Sequence, residues 1–118
     1  VKLIAEKVVT EMCSQKGCHP EDILAGIGPS IGADHYPVGA DVVTEVIRAF
    51  SDMPGLLTYQ NGRTHLDLWQ ANATALRRAG VKQIEIANIC TACHNDDWYS
   101  HRFEHGKTGR FGALISLV

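Results

Sequence analysis

The stretch LDLWQANATALRRAGVKQIEIANI, residues 66–89, encodes a helix that leads directly into a strand. Its first part has apolar residues at helical spacing, with Asp67 in the first turn and Gly80 just past the end. Its second part, Val81 to Ile89, alternates polar with apolar residues and is rich in β-branched side chains, which predicts a strand. A helix joined to a strand in this way favours a layered domain that contains both element types.

The segments on either side continue the alternation of helices and strands. Upstream, apolar spacing and turn residues predict helices over 1–16 and 41–50 and strands over 23–27 and 56–59, followed by a turn at Asn61-Gly62. The first helix is expected to be amphipathic with one apolar face, and the short apolar run over 23–27 is expected to be a buried strand. Downstream, residues 110–118 are predicted to be the last strand, and if residues 98–102 also form a strand, the two make a hairpin with basic residues near its tip. The fold class we expect is α+β or mixed α/β, with layered mixed sheets flanked by helices, in a single domain segment over residues 1–118.

Composition restricts the function classes. The net charge of −2 gives no basic surplus for gripping nucleic acid or an anionic membrane. No apolar run approaches the roughly 20 residues that a membrane-spanning helix needs, and the first residues lack the apolar core of a signal peptide. We therefore expect a cytoplasmic protein with reduced cysteines, and no nucleic-acid or membrane partner.

The string CTACH, beginning at Cys90, has the spacing that attaches c-type haem. It follows a predicted strand, whereas small cytochromes of that type are mostly helical around the haem, so we predict no haem. Structural zinc is an alternative, with Cys90 and Cys93 as one half-site and Cys13, Cys18 and His19 supplying the rest. The simplest interpretation is two small thiols packed beneath a loop, so no metal ligand is assigned to this segment.

The basic turn that follows, WYSHRFEHGKTGR, holds the candidate substrate-binding residues Arg102, Lys107 and Arg110. An arginine at such a turn can clamp a phosphate or carboxylate through two parallel hydrogen bonds. The alternative is a solvated basic turn beside Glu104, because exposed charges usually contribute little.

Four other polar residues have simpler interpretations. Asn72 interrupts the apolar line of the third helix, so we expect its amide to tie a neighbouring loop to that helix. His35, His65 and His94 are isolated in the sequence, and a surface position is the prediction for each.

Four segments together resemble one protein family, the YfiH-type family, whose members are also called laccase-domain or multicopper polyphenol oxidoreductase proteins. The resemblance runs in the order of the family and covers nearly the whole chain from about Pro20. The segments that carry it are IGPSIGADHYPVGADV, LDLWQAN, GVKQIEIANICTACHNDDWYSHR and GKTGRFGALI.

The resemblance implies a cytosolic enzyme whose substrates are small molecules, namely purine nucleosides and phosphate. It links the chain to phosphorolysis of adenosine, inosine and methylthioadenosine, and to adenosine deamination. The alternatives are a copper-dependent, laccase-like polyphenol oxidase, and a non-catalytic scaffold or metal-binding module built on the same fold.

The family's catalytic centre is a His-Cys-His set that holds zinc or copper, in motifs resembling VHG, ADC and HAGWRG. None of these strings occurs here, so the resemblance implies the C-terminal half of the domain, with no catalytic residue of its own. His35 stands where the family often has Cys, Pro37 where Glu is common, and Phe103 where a second Arg is frequent. These departures leave Arg102 as the best candidate for binding substrate.

Overall fold

A computed structural model describes residues 2–118. Within that range the chain forms three α-helices and four short strands, so the predicted mixture of helices and strands is confirmed. The predicted start of the first helix at Val1 lies outside the described residues. The elements are α1 (Ile4–Lys16), β1 (Leu24–Ile27), α2 (Ala40–Ala49), β2 (Leu57–Gln60), β3 (Arg63–Leu66), α3 (Leu68–Arg78) and β4 (Gln83–Ile86), with single 3-10 turns at Pro20–Asp22, Ala33–His35 and Pro54–Leu56.

The four strands form two separate pairs. β1 and β4 are parallel, with Leu24 opposite Gln83 and Ile27 opposite Ile86. β2 and β3 are antiparallel and form the predicted hairpin, whose two-residue turn has positive φ at Asn61 and Gly62. Parallel pairing needs a long crossover, and here α2, the hairpin and α3 make that connection.

The main hydrophobic core lies where α2, the β2–β3 hairpin and α3 meet. Apolar side chains from these elements are almost completely withdrawn from solvent, and α3 also packs against α1, β1 and β4. α3 therefore lies at the centre of the described chain, and its apolar residues at helical spacing face the core. The buried members of this core are Val46, Phe50, Leu56, Leu66, Ala71 and Ala75.

Side-chain capping fixes the start of α3, where Asp67 is the N-cap residue and does not lie in the first turn as predicted. The carboxylate of Asp67 accepts a hydrogen bond from the backbone N–H of Gln70 at 2.9 Å, which satisfies one of the donors left free at a helix start. At the other end the chain turns at Gly80, where φ is +99° and only glycine is unstrained.

Replacing Asp67 with alanine is expected to lower the free energy of unfolding by about 1 kcal/mol, because the cap at Gln70 is lost. Asp67→Asn keeps a side-chain oxygen at the same place and is expected to change stability by much less. Urea denaturation of the two variants beside the wild type measures the difference, and equal losses in both would contradict the capping role.

Two predictions about burial are wrong. The apolar face expected on α1 is buried at Val9, but Ile4, Val8 and Met12 are 59%, 50% and 43% exposed. β1 was expected to be a buried strand, yet Leu24 is 54% exposed because β1 has a neighbour on one side only among the described residues. The periodicity of each segment predicted the element type correctly, while what covers each face is decided by other parts of a chain.

The predicted C-terminal hairpin is also wrong. Residues 98–102 form a bend and the start of a turn without any strand, and residues 110–118 have no regular secondary structure. The first segment is held by local bonds, since Glu104 N–H donates to Ser100 O at 2.9 Å and Gly106 N–H to His101 O at 2.8 Å. The second segment pairs with no strand in the described part of the chain, and its apolar residues face solvent.

Two polar residues differ from their predicted roles. The Asn72 amide donates to the carbonyl of Leu68 in its own helix at 3.0 Å, and not to a neighbouring loop. His65 is buried in β3, where it bridges to Pro37, and is not a surface residue. Separately, no helix among residues 2–118 combines the length and the apolar character needed to cross a membrane.

Candidate metal and substrate site

The parallel pair β1–β4 brings two loops to the same edge of the molecule. Beyond Ile27 and Ile86 the pairing continues as a bridge between Ser30 and Cys90. Ser30 N–H donates to Ile89 O at 3.1 Å, and Thr91 N–H donates to Ser30 O at 3.2 Å. Ligand sites in α/β proteins commonly form at the carboxyl ends of parallel strands, which is where these loops lie.

Three metal-binding side chains meet at this edge. The Nδ1 atom of His35 lies 3.8 Å from the sulfur of Cys90 and 3.6 Å from the sulfur of Cys93. All three potential ligand atoms lie within 4.8 Å of one another. Cys90 is buried, whereas His35 and Cys93 are exposed. His35 is exposed, as predicted, but it is not isolated, because two thiols lie beside it.

The two thiols of this cluster have different environments. Burial pushes the pKa of Cys90 upward, but hydrogen bonds from the backbone N–H groups of Gly32, Cys93 and Ala92 outweigh burial and lower this pKa. The Gly32 bond is 3.2 Å long. The hydrogen bond with Cys90, followed by burial, raises the pKa of Cys93. The negative charge of the pair is therefore favoured at Cys90.

The other cysteines form a separate group. The sulfurs of Cys13 and Cys18 lie 3.6 Å apart at the end of α1, and burial raises the pKa of Cys13. Within residues 2–118 the one group of three or more potential metal ligands is His35, Cys90 and Cys93. The arrangement considered from the sequence, in which Cys13, Cys18 and His19 complete a site with Cys90 and Cys93, is therefore wrong.

An open pocket of about 400 Å³ adjoins the cluster. Its volume lies within the range of roughly 300–1,000 Å³ that is typical of small-molecule sites. Ser30, one of the lining residues, accepts a hydrogen bond at its Oγ from Nε1–H of Trp69 at 2.7 Å. The lining consists largely of aromatic, hydroxyl and cationic side chains, among them Ser30, Tyr36, Thr91, Tyr99, His101 and Arg102. Tyr36 directly follows His35 in the chain, and Thr91 directly follows Cys90.

Arg102 is held at the rim of this pocket by two contacts with one segment. Its Nη1 donates to the carbonyl of Pro37 at 2.9 Å, and its guanidinium lies over the ring of Tyr36, 4.9 Å from the centroid. A guanidinium has five N–H donors, so one bond to Pro37 leaves donors for a ligand. Arg102 remains exposed, as access from the pocket requires.

The other two predicted binding residues lie elsewhere. Arg110 lines a second pocket of about 420 Å³, which shares Tyr99 and His101 with the first. Lys107 is not among the residues that line either pocket. The structure therefore brings Arg102 and Arg110 to neighbouring pockets and leaves Lys107 outside both.

Glu104 holds together the turn that carries Arg102. Its carboxylate accepts hydrogen bonds from Thr108 Oγ1 at 2.5 Å and from Ser100 N–H at 2.8 Å. These two bonds, that of Thr108 first, lower the pKa of the Glu104 carboxyl below its ordinary value. The ionised form is therefore the one that stabilises the turn.

A lowered pKa gives the turn a defined pH dependence. Stability from Glu104 is fully present above the unfolded-state pKa and is lost as the pH falls through the lowered native pKa. Acidification is therefore expected to loosen residues 100–108 in the wild type, whereas Glu104→Gln removes this dependence. Amide hydrogen exchange of Gly106 against pH measures the effect, and equal pH profiles in the two proteins would contradict it.

Sequence patterns alone did not connect His35 with the two cysteines. Fifty-five residues separate His35 from Cys90, and neither the helical nor the strand period links them. The signal that points to the cluster is topological, because a histidine after one strand meets a cysteine pair after another only if the two strands are parallel neighbours. The predicted packing of Cys90 beneath a loop does agree with its burial.

These features define a mixed α/β protein with a thiol–imidazole cluster and an adjoining pocket at the carboxyl edge of a parallel strand pair. The chain belongs to the family described as "Multi-copper polyphenol oxidoreductase laccase", whose profile matches residues 1–118. The resemblance to YfiH-type proteins is thereby confirmed.

Individual relatives are similar over almost the whole chain. A purine nucleoside phosphorylase of Deinococcus radiodurans is 37% identical over 97% of this chain and 43% of its own length. Adenosine deaminase RL5, from an unknown prokaryotic organism, is 35% identical over 84% of this chain and 39% of its own length. The crystal structure of YlmD from Geobacillus stearothermophilus matches with a TM-score of 0.82 and 32% identity, over 91% of this chain and 41% of that one.

The chain spans less than half the length of the relatives it matches. The family description implies copper, and the donors in residues 2–118 test that implication. One group of three donors fits a single metal ion, and it does not fit a multicopper centre.

Proposed function

We propose that this chain is the C-terminal part of a purine nucleoside enzyme that transfers the sugar of adenosine, inosine or methylthioadenosine to phosphate. The observation that carries the proposal is the 37% identity to a purine nucleoside phosphorylase over 97% of the chain. The pocket beside Arg102 supports it, because its size and its aromatic, hydroxyl and cationic lining suit a nucleoside and an anion. The proposed location is the cytoplasm.

Phosphorolysis sets the tasks that the site performs. A phosphate oxygen bonds to C1′ of the ribose while the bond from C1′ to the purine nitrogen breaks, and the departing base gains a proton. Positive charge builds on the sugar, so positioning of phosphate and electrostatic stabilisation provide most of the rate. Arg102 is the proposed phosphate-binding residue, with Arg110 in the neighbouring pocket as a second cationic contact and Lys107 as a weaker, peripheral one.

The proposal places the His-Cys-His catalytic set, with its zinc or copper, in a segment that precedes this chain. Two features support that division. The chain covers 43% of the phosphorylase relative, and apolar side chains of α1 and of residues 110–118 face solvent. A preceding half of the domain would cover this apolar surface, which favours association in water. On this proposal, the 118-residue segment by itself has no activity.

Product analysis with and without phosphate tests the proposed reaction. The chain, extended upstream through its natural coding sequence, is incubated with inosine, and hypoxanthine and ribose 1-phosphate are measured by chromatography. We expect base release that requires phosphate. Release of base without phosphate would indicate hydrolysis, and conversion of adenosine to inosine would indicate the deamination for which one relative is named.

Copper-dependent oxidation of phenols is the second candidate function. The family description favours it, as does the presence of two thiols and an imidazole in one cluster, since these ligands bind copper well. Oxygen uptake by the copper-loaded extended chain in the presence of a phenol distinguishes the two candidates. Turnover of phenol faster than of nucleoside would favour this second function.

A further inference from the structure

We propose that His35, Cys90 and Cys93 bind one zinc(II) ion, at a site separate from the His-Cys-His set that the family resemblance implies. The inference rests on this chain's own residues and does not depend on the proposed nucleoside chemistry. Two loops separated by 55 residues supply the ligands, one after β1 and one after β4. The resulting site has three protein ligands and a fourth coordination position for solvent or substrate.

The two separations from His35 match those that zinc requires, and the two sulfurs lie within 4.8 Å of each other. Zinc bonds of about 2.0–2.1 Å to nitrogen and about 2.3 Å to sulfur, at a tetrahedral angle, set the ligand nitrogen and sulfur roughly 3.6 Å apart. The observed separations from His35 Nδ1 are 3.6 Å to Cys93 and 3.8 Å to Cys90. An ion therefore fits between the three atoms with only small adjustments of the side chains.

The chemistry of the donors selects the metal class. Two thiolates with one imidazole form a soft to borderline set that favours zinc over hard cations such as magnesium or calcium. A C-x-x-C spacing presents two sulfurs on one side of a turn, and here the Cys90 carbonyl accepts from the N–H of His94 at 3.0 Å to close that turn. The N–H of Gly32 donates to Cys90 Sγ at 3.2 Å, an outer bond that orients this ligand.

Zinc at this position would link the cluster to the pocket. His35 directly precedes Tyr36, whose ring lies under the guanidinium of Arg102, and Pro37 accepts the Arg102 hydrogen bond. Cys90 directly precedes Thr91, another residue of the pocket wall. An ion bound by both loops therefore fixes two walls of the pocket relative to each other, and these three ligands also act as positioning residues for Arg102.

Zinc titration of the reduced 118-residue chain tests the proposal. A competing chromophoric chelator reports the dissociation constant, and metal analysis after dialysis reports the stoichiometry. We expect one equivalent of zinc, and we expect His35→Ala and Cys93→Ser each to weaken its binding by at least about 100-fold. The side chains of His35 and Cys93 are exposed, so these two variants are expected to retain the fold. Cys90→Ser, which removes the third ligand, is likewise expected to weaken zinc binding.

The matched controls are Cys13→Ser and Cys18→Ser, which remove thiols from the other pair. Both are expected to keep the full affinity. Cobalt(II) substitution adds a structural readout, since thiolate ligands give an intense charge-transfer band that Cys93→Ser reduces and Cys13→Ser leaves unchanged. Loss of zinc binding in the Cys13 and Cys18 variants but not in the Cys93 and His35 variants would overturn the proposal, as would a wild-type chain that retains no zinc.

Discussion

Replacing Arg102 with alanine is expected to lower kcat/KM for phosphorolysis about 10- to 150-fold in the extended enzyme. A hydrogen bond to a charged group contributes about 1.5–3 kcal/mol, and each 1.4 kcal/mol corresponds to a factor of ten. Arg102 is placed to provide such bonds because Pro37 and Tyr36 hold its guanidinium at the rim of the pocket. Kinetics at varied phosphate and fixed inosine measure the effect, which we expect to fall mainly on the phosphate dependence.

Two further variants separate binding from folding at this position. Arg102→Lys keeps the charge but loses the planar fork, so it is expected to recover only part of the activity. Lys107→Ala removes a cation from the same turn outside both pockets, and it is expected to change kcat/KM by much less. Equal kinetics in Arg102→Ala and Lys107→Ala would contradict the assignment of Arg102 as the phosphate-binding residue.

Replacing Leu56 with alanine is expected to cost about 2–5 kcal/mol of the free energy of unfolding. Leu56 is 2% exposed and belongs to the core formed by α2, the hairpin and α3, so its truncation leaves a cavity in packed surroundings. Domains of this size commonly have only 5–15 kcal/mol of stability in total. Chemical denaturation of the purified variant measures the loss.

The matched control for this core substitution is Leu114→Ala. Leu114 is fully exposed in the described chain, so its truncation is expected to change stability by less than about 0.5 kcal/mol. In the extended enzyme the same substitution is expected to become costly, because the proposed preceding half covers the residues around it. A neutral effect of Leu114→Ala in both proteins would contradict that covering.

Local patterns predicted the elements whose partners are near in sequence. The start of α3 near Asp67, the turn at Gly80 and the Asn61-Gly62 hairpin all depend on residues within a few positions of one another, and all three are confirmed. Local chemistry decides such features, so one stretch of sequence is sufficient to predict them.

The wrong predictions concern partners that lie far away. Residues 110–118 have the composition of a strand, but a strand must also pair with an edge, and these residues pair with no strand in the described chain. Ile4 and Val8 lie at helical spacing, yet periodicity identifies an apolar face without identifying what covers it. For residues 110–118 the predicted element type is wrong, whereas for α1 the element type is correct and only its environment differs.

The candidate site shows the same division. Arg102 was accessible to sequence reasoning because basic residues and glycines cluster around it, and the structure places it at a pocket. His35 was not, because its relation to Cys90 and Cys93 arises only from the parallel pairing of β1 with β4. A histidine without a local pattern became a potential metal ligand through topology alone.

Comparison of the 118-residue chain with the chain extended upstream tests the central claim most directly. Both proteins are given inosine and phosphate, and formation of hypoxanthine is followed under identical conditions. The division of the site proposed here predicts turnover by the extended chain and none above background by the 118-residue chain. Turnover by the 118-residue chain at a rate comparable to that of the extended chain would contradict it.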